Sequence, residues 1–161
     1  DVYKRQHKNT GRPLQNGKWF EKFRSNYLDV DNDALYPFGY GLSYTTFQYG
    51  DIVLNTPTMK QNETITATIQ VTNSGKYDGA EVVQLYIRDL VGSITRPVRE
   101  LKGFKKIFLK AGESKTVSFK ITADLLRFYD YDLNQVTEPG EFDIFIGGSS
   151  QATKTARLTL K

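Results

Sequence analysis

The sequence predicts an all-β, antiparallel sandwich, and three observations carry that prediction. Short runs in which apolar and polar residues alternate recur from Phe47 to the C-terminus. Gly, Pro, Asn and Ser clusters punctuate them at fairly even intervals, and no helical segments alternate with them. Size agrees: 161 residues, 39% hydrophobic and with 13 glycines, make one ordinary domain plus an appendage.

The appendage comes first. Residues 1–35 hold no strand period, and Asn9-Thr-Gly-Arg-Pro13 and Gln15-Asn-Gly17 are turn signals. Phe20, Phe23 and Tyr27 allow at most a short helical turn. So long an irregular stretch either docks on something or is disordered. With no initiator methionine, Asp1 reads as an internal start within a longer polypeptide.

Tyr36-Pro-Phe-Gly-Tyr-Gly-Leu-Ser-Tyr-Thr-Thr-Phe47 divides appendage from sandwich, packing five aromatics, two glycines and a proline into twelve residues. Pro37 donates no ladder hydrogen bond, and Gly39 and Gly41 open backbone angles closed to other residues, so neither a helix nor a central strand is expected. Two readings stay open: a leader packed onto the sandwich behind it, or a joint pressing its rings against a neighbouring domain.

Strands follow. Phe47–Leu54 is the first. Thr64–Thr72 alternates cleanly, placing Ile65, Ala67, Ile69 and Val71 on one face and threonines with Gln70 on the other. Asn73-Ser-Gly75 ends it. Val83, Leu85 and Ile87 alternate with Gln84, Tyr86 and Arg88. Ile107 shares a face with Leu109, Ala111-Gly112 turns the chain, and Val117, Phe119 and Ile121 line up next. Thr122–Phe128 hints at a helical turn. Glu138-Pro-Gly140 leads into Phe142-Asp-Ile-Phe-Ile146, and Gly147-Gly148 into a last strand with Ala156, Leu158 and Leu160. About seven short strands result, the pattern of an immunoglobulin-like or fibronectin-like sandwich.

Composition narrows function. There is no cysteine, which removes disulfides and thiolate nucleophiles. No apolar run is long enough to cross a bilayer, so no membrane partner is expected. The net charge of +4 is spread along the chain and reads as a solvated surface. Lys102-Gly-Phe-Lys-Lys-Ile-Phe108 is similar to the start of an RNA-recognition strand, but lysines replace its small and stacking residues. A docking or solvated edge strand is expected there, and no nucleic acid.

No catalytic, cofactor or metal site emerges. Asp29-Val-Asp-Asn-Asp33 opens like a calcium loop, yet Ala34 replaces its turn glycine and Tyr40 its closing glutamate. Gly41-Leu-Ser-Tyr-Thr45 is half a nucleophile elbow, and the single imidazole, His7, lies in the appendage, so Ser43 reads as a turn residue. Glu138 and Asp143 are candidates for paired carboxylates, with nothing to set them at catalytic separation; Asp143, within a strand, is expected to face solvent. Asn62-Glu-Thr64 is a glycosylation acceptor pattern in a eukaryotic secreted protein.

Three motifs in order, His7-Lys-Asn-Thr-Gly-Arg-Pro13, Leu35–Phe47 and Ser93-Ile-Thr-Arg-Pro-Val-Arg-Glu-Leu-Lys-Gly-Phe104, together with Pro139–Gly147, resemble the C-terminal part of bacterial glycoside hydrolase family 3 β-glucosidases. Asp1–Gln6 departs from that pattern. The resemblance implies a β/α barrel with an aspartate nucleophile, an α/β sandwich domain that often supplies the acid/base glutamate, and a terminal fibronectin type III-like domain, together performing retaining hydrolysis. It places residues 1–47 as the tail of the α/β domain and an aromatic linker, and 48–161 as the terminal module. The family's Ser-Asp nucleophile motif is absent here, and a barrel alone needs roughly 250 residues. The chain is therefore expected to be a non-catalytic scaffold without cofactors, partnered by the catalytic domains of its own polypeptide and meeting β-glucoside only through them. Its expected packing residues are Tyr36, Phe38, Tyr40, Tyr44, Arg96, Arg99 and Phe104, and its expected location is periplasmic or secreted. A free-standing carbohydrate-binding sandwich is the alternative.

Overall fold

The computed structural model describes residues 34–161; the His7 motif, the Phe20–Tyr27 turn and the acidic run at Asp29–Asp33 lie outside the described residues. Eleven strands follow in order among the described residues: β1 Phe47–Tyr49, β2 Val53–Leu54, β3 Thr58–Met59, β4 Thr64–Asn73, β5 Gly79–Asp89, β6 Glu100–Leu109, β7 Ser114–Thr122, β8 Phe128–Tyr129, β9 Gln135–Val136, β10 Gly140–Gly147 and β11 Thr155–Leu160. One sheet centres on β4, with β7 on one edge and β1 and β2 sharing the other. The second runs β3-β11-β10-β5-β6, and β8 with β9 forms a small separate ladder. Pairing is antiparallel except for the two-residue contact of β3 with β11.

The alternating positions do what their period demands. Ile65, Ala67, Ile69 and Val71 of β4 and Val117, Phe119 and Ile121 of β7 are buried against Val83, Leu85 and Ile87 of β5, Phe142, Ile144 and Ile146 of β10, and Leu158 and Leu160 of β11. One continuous core thus lies between the sheets, each fully buried Leu or Ile contributing roughly 1.5–3 kcal/mol. The expected helical turn is a short 3-10 helix, Ala123–Leu126, capped by the Thr122 hydroxyl, which accepts from the Leu125 amide.

Two expectations need correction. Phe47–Leu54 is not one strand. Between the pairs Tyr49↔Val71 and Val53↔Thr68 the leading chain takes one more residue than β4 does, a bulge at Gly50–Ile52. Gly50 still donates to the Gln70 carbonyl at 2.9 Å. The second correction concerns β5, where Gln84 and Tyr86 are buried although their parity faces them away from the core. Phe145 on β10 stands opposite Tyr86, and with Ala152 these rings form a second cluster on the outside of the sheet. Asp143, on the same outer side, is only partly open, because Arg157 bonds it at 2.7 Å.

Candidate functional site

The outer face of the β5–β10 sheet gathers most of the residues singled out from sequence. It is built up in layers. Innermost, the Tyr86 hydroxyl donates to Gln84 Oε1 at 2.5 Å, and Gln84 Nε2 donates to the Gly148 carbonyl at 2.8 Å. Burial pushes the Tyr86 phenol up to about 12. Over the rings lies Arg99. Its guanidinium stacks 3.9 Å from the centre of Phe145 and donates to the carbonyls of Ser150 and Ala152 at 2.9 and 2.7 Å.

The strap, residues 35–44, forms the outermost layer. Pro37-Phe-Gly-Tyr40 is a β-turn closed by the Tyr40 amide on the Pro37 carbonyl, and Gly39 takes φ +83° at its third position, as a type II turn requires. A Cβ on Gly39 would come within 2.4 Å of Gln84 Nε2, so only glycine lets the strap settle here. The Phe38 carbonyl accepts from the Ser150 amide at 2.8 Å. At the far end, the buried Thr45 hydroxyl donates to Asn73 Oδ1, while Asn73 Nδ2 reaches the carbonyls of Tyr77 and Leu109. Ser43 is the turn residue expected, accepting from the Thr45 amide at 3.3 Å.

Main-chain groups thus fasten the strap, and its side chains point away. Tyr36, Phe38, Tyr40 and Tyr44 are 67%, 62%, 52% and 97% exposed, and Leu35 and Leu42 are exposed beside them. Phe104, on edge strand β6, is 67% exposed and stands opposite Gln84, next to the seat of Gly39. Structure therefore brings Phe38, Phe104 and Arg99 to one face. Arg96 sits in the neighbouring loop and is spent locally: it lies 4.4 Å over the Phe128 ring and bonds Glu100 at 2.9 Å, with Asp89 at 3.9 Å.

Sequence reasoning missed Gln84, Tyr86, Phe145 and Ala152. The signal was present in Val82-Val-Gln-Leu-Tyr-Ile87, a nearly unbroken apolar run of the kind found in strands covered on both sides.

Reaction chemistry has little to work with among the described residues. Glu138 accepts from the Ser93 amide at 3.0 Å and Asp143 binds Arg157, so both candidate carboxylates hold the fold. Burial raises the carboxyl of Glu81, but Tyr49 donates to it at 2.6 Å, so this carboxylate too is engaged within the fold. That pair ties β1 of one sheet to β5 of the other. Among the described residues no cluster of three His, Cys, Asp or Glu side chains is arranged to hold a metal ion.

Comparison with known proteins fits this geometry. Residues 81–150 match the family model of the fibronectin type III-like domain. The periplasmic β-glucosidase of Salmonella typhimurium is 49% identical over 154 residues, which is 96% of this chain and 20% of that protein. A β-xylosidase of Formosa agariphila is 49% identical over 140 residues, 86% of this chain and 19% of the relative. The β-glucosidase of Listeria innocua, solved with isofagomine, superposes with a TM-score of 0.86 at 38% identity, over 96% of this chain and 22% of that one. The chain spans about a fifth of the length of the curated relatives it matches. With a Bifidobacterium adolescentis family 3 β-glucosidase also among the similar structures, the chain belongs to the fibronectin type III-like part of glycoside hydrolase family 3 proteins.

Proposed function

We propose that this chain is the C-terminal bracing module of a retaining β-glucosidase, itself without catalytic residues, which packs on the catalytic domains of the same polypeptide and fixes their placement. One observation carries the reading: a strap whose backbone is fastened to the sandwich while Tyr36, Phe38, Tyr40 and Tyr44 are left bare. Rings held rigidly in the open lose little entropy on docking and bring large apolar area to the contact. Phe104 extends the contact on the sandwich side, and Arg99 supports it from beneath by holding the Ser150 loop to which the strap is bonded.

In this reading residues 1–47 lead out of the preceding domain and 48–161 form the module. Hydrolysis of terminal β-D-glucosyl residues is the work of groups elsewhere in the polypeptide, and the substrate meets this chain only through them. A periplasmic or secreted location goes with it, supported by the name of the Salmonella relative.

The test replaces Tyr36, Phe38 and Tyr40 together by alanine in the full-length polypeptide. Thermal stability is expected to fall while the ratio of kcat/KM for aryl β-glucoside over aryl β-xyloside stays constant. Removing a packed ring costs up to roughly 3–5 kcal/mol. Unchanged stability with an altered ratio makes the strap a substrate rim instead.

A further inference from the structure

The exposed apolar surface does not stop at the strap. On the outer side of β6, Phe104 is 67% and Phe108 58% exposed, with Leu101 and Val82 open beside them. Phe104 stands opposite Gln84, Lys106 opposite Val82, and Phe108 opposite Ala80, so both rings project from one face of an edge strand with a lysine between them. The same side of β5 is buried further along, at Gln84 and Tyr86, where the strap and Arg99 lie over it. Aromatics at solvent-facing positions of an edge strand invite unwanted pairing, and Lys102, Lys105 and Lys106 on that strand guard against it without covering the rings.

We propose that the outer face of β6, centred on Phe104 and Phe108 with Val82 and Leu101, is a second docking surface, continuous with the strap. Its occupant is the catalytic body of the same polypeptide, through an apolar patch rimmed by carboxylates. The inference rests on the bracing role above and adds a face to it. Three features select that occupant. Gly39 sits on Gln84, the cross-strand partner of Phe104, so the strap's backbone and the β6 rings adjoin. Ala34, where the described chain begins, lies four residues from Phe38, which is bonded to Ser150 on this face, so the upstream polypeptide departs from here. And β6 carries three lysines and a single glutamate, the latter already bound by Arg96 and Lys102. Lys105 turns inward over the Phe119 ring, which leaves Lys106 between Phe104 and Phe108 on the outer face, and a matching surface brings an acidic group to it.

The experiment uses the full-length polypeptide in three forms: Phe104→Ser with Phe108→Ser, Lys106→Glu, and the strap triple alanine. Amide hydrogen exchange across β6 and the thermal midpoint are read for each. Both serines replace side chains that are exposed in this domain, so the sandwich keeps its core. The double serine variant is expected to speed β6 exchange about tenfold and to lower the midpoint by about 3 °C or more. Lys106→Glu is expected to loosen the same amides by about threefold at low salt, and by less at high salt. If the strap variant acts and both β6 variants are silent, the second surface is overturned and the bracing role stands. If all three are silent, both readings fall. Two further outcomes overturn the proposal. One is protection of β6 by added cellotetraose that the double variant abolishes, which makes the rings a sugar platform. The other is a dimer by sedimentation that the double variant splits, which makes a second copy the occupant.

Discussion

The two outer faces of this sandwich are built on opposite terms. On the β4–β7 sheet the outward positions are Thr64, Thr66, Thr68, Gln70, Ser118 and Lys120, a surface made for water. The Thr68 hydroxyl bonds the Val53 carbonyl, and among the described residues β1 and β2 join this sheet only at its edge. On the other sheet the outward positions include Gln84, Tyr86 and Phe145, buried under Arg99, the Ser150 loop and the strap, while Phe104 and Phe108 continue the aromatic surface into the open. A sandwich needs only its inner faces to fold. On the bracing role proposed above, the second set of apolar side chains marks the side on which this domain meets the catalytic body.

The largest expected effect tests that contrast at its centre. Phe145→Ala removes a ring from the outside of a sheet, yet it is expected to destabilise the domain by about 3 kcal/mol, as a core truncation does. Urea denaturation checks it, and a loss under about 1 kcal/mol would show the outer cluster to be mere decoration. Next comes Gly39→Val. It forces a β-branched residue to positive φ and drives Cβ onto a Gln84 amide already committed to Tyr86 and Gly148. A cost of about 2 kcal/mol is expected, with faster proteolysis within the strap.

A smaller effect depends on pH. Burial, the larger influence, raises the carboxyl of Glu81 above its ordinary range, against the opposing hydrogen bond from Tyr49. The folded state therefore holds a proton that the unfolded chain releases. This contribution is fully present in acid, below the ordinary glutamate range, and is lost as pH rises through the elevated folded-state value. Glu81→Gln keeps an acceptor for Tyr49, so its stability is expected to fall less steeply than the parent's across that window. Asp89, also raised by burial, leaves part of the slope in place. Denaturation midpoints at several pH values measure the difference. Smallest of all is Ser118→Ala on the water-facing sheet, expected within about 0.5 kcal/mol of the parent in the same denaturation.

How far the sequence could be read follows from the range of each interaction. The inward residues of β4 and β7 were legible because period-two alternation is a local signal, and the lysines of Lys102–Lys110 announced an edge that β6 does occupy. Of the segments that carried the family resemblance, Leu35–Phe47 and Ser93–Phe104 lie on or beside one face, while His7–Pro13 falls outside the described residues. Coverage of Gln84 and Tyr86 was not legible, because what covers them comes from Gly39, Arg99 and Phe145, each far away in the chain. Nor could sequence say that Arg96 would turn toward Phe128 and Glu100, or that Tyr49 would find Glu81 across the gap between sheets. The bulge at Gly50–Ile52 was hidden too: a glycine marks where a strand can bend, and only the partner strand decides whether it does.

Fastening the strap by its peptide groups has a consequence for how such enzymes diverge. The clasp consists of a carbonyl, an amide and a bare α-carbon, none of which is altered when a neighbouring ring is exchanged for another side chain. If the strap rings dock as proposed, attachment and recognition are written in separate alphabets. Lineages that remodel the large body are free to rewrite positions 36, 38, 40 and 44 to suit its new contours, provided that residue 39 keeps its missing methyl.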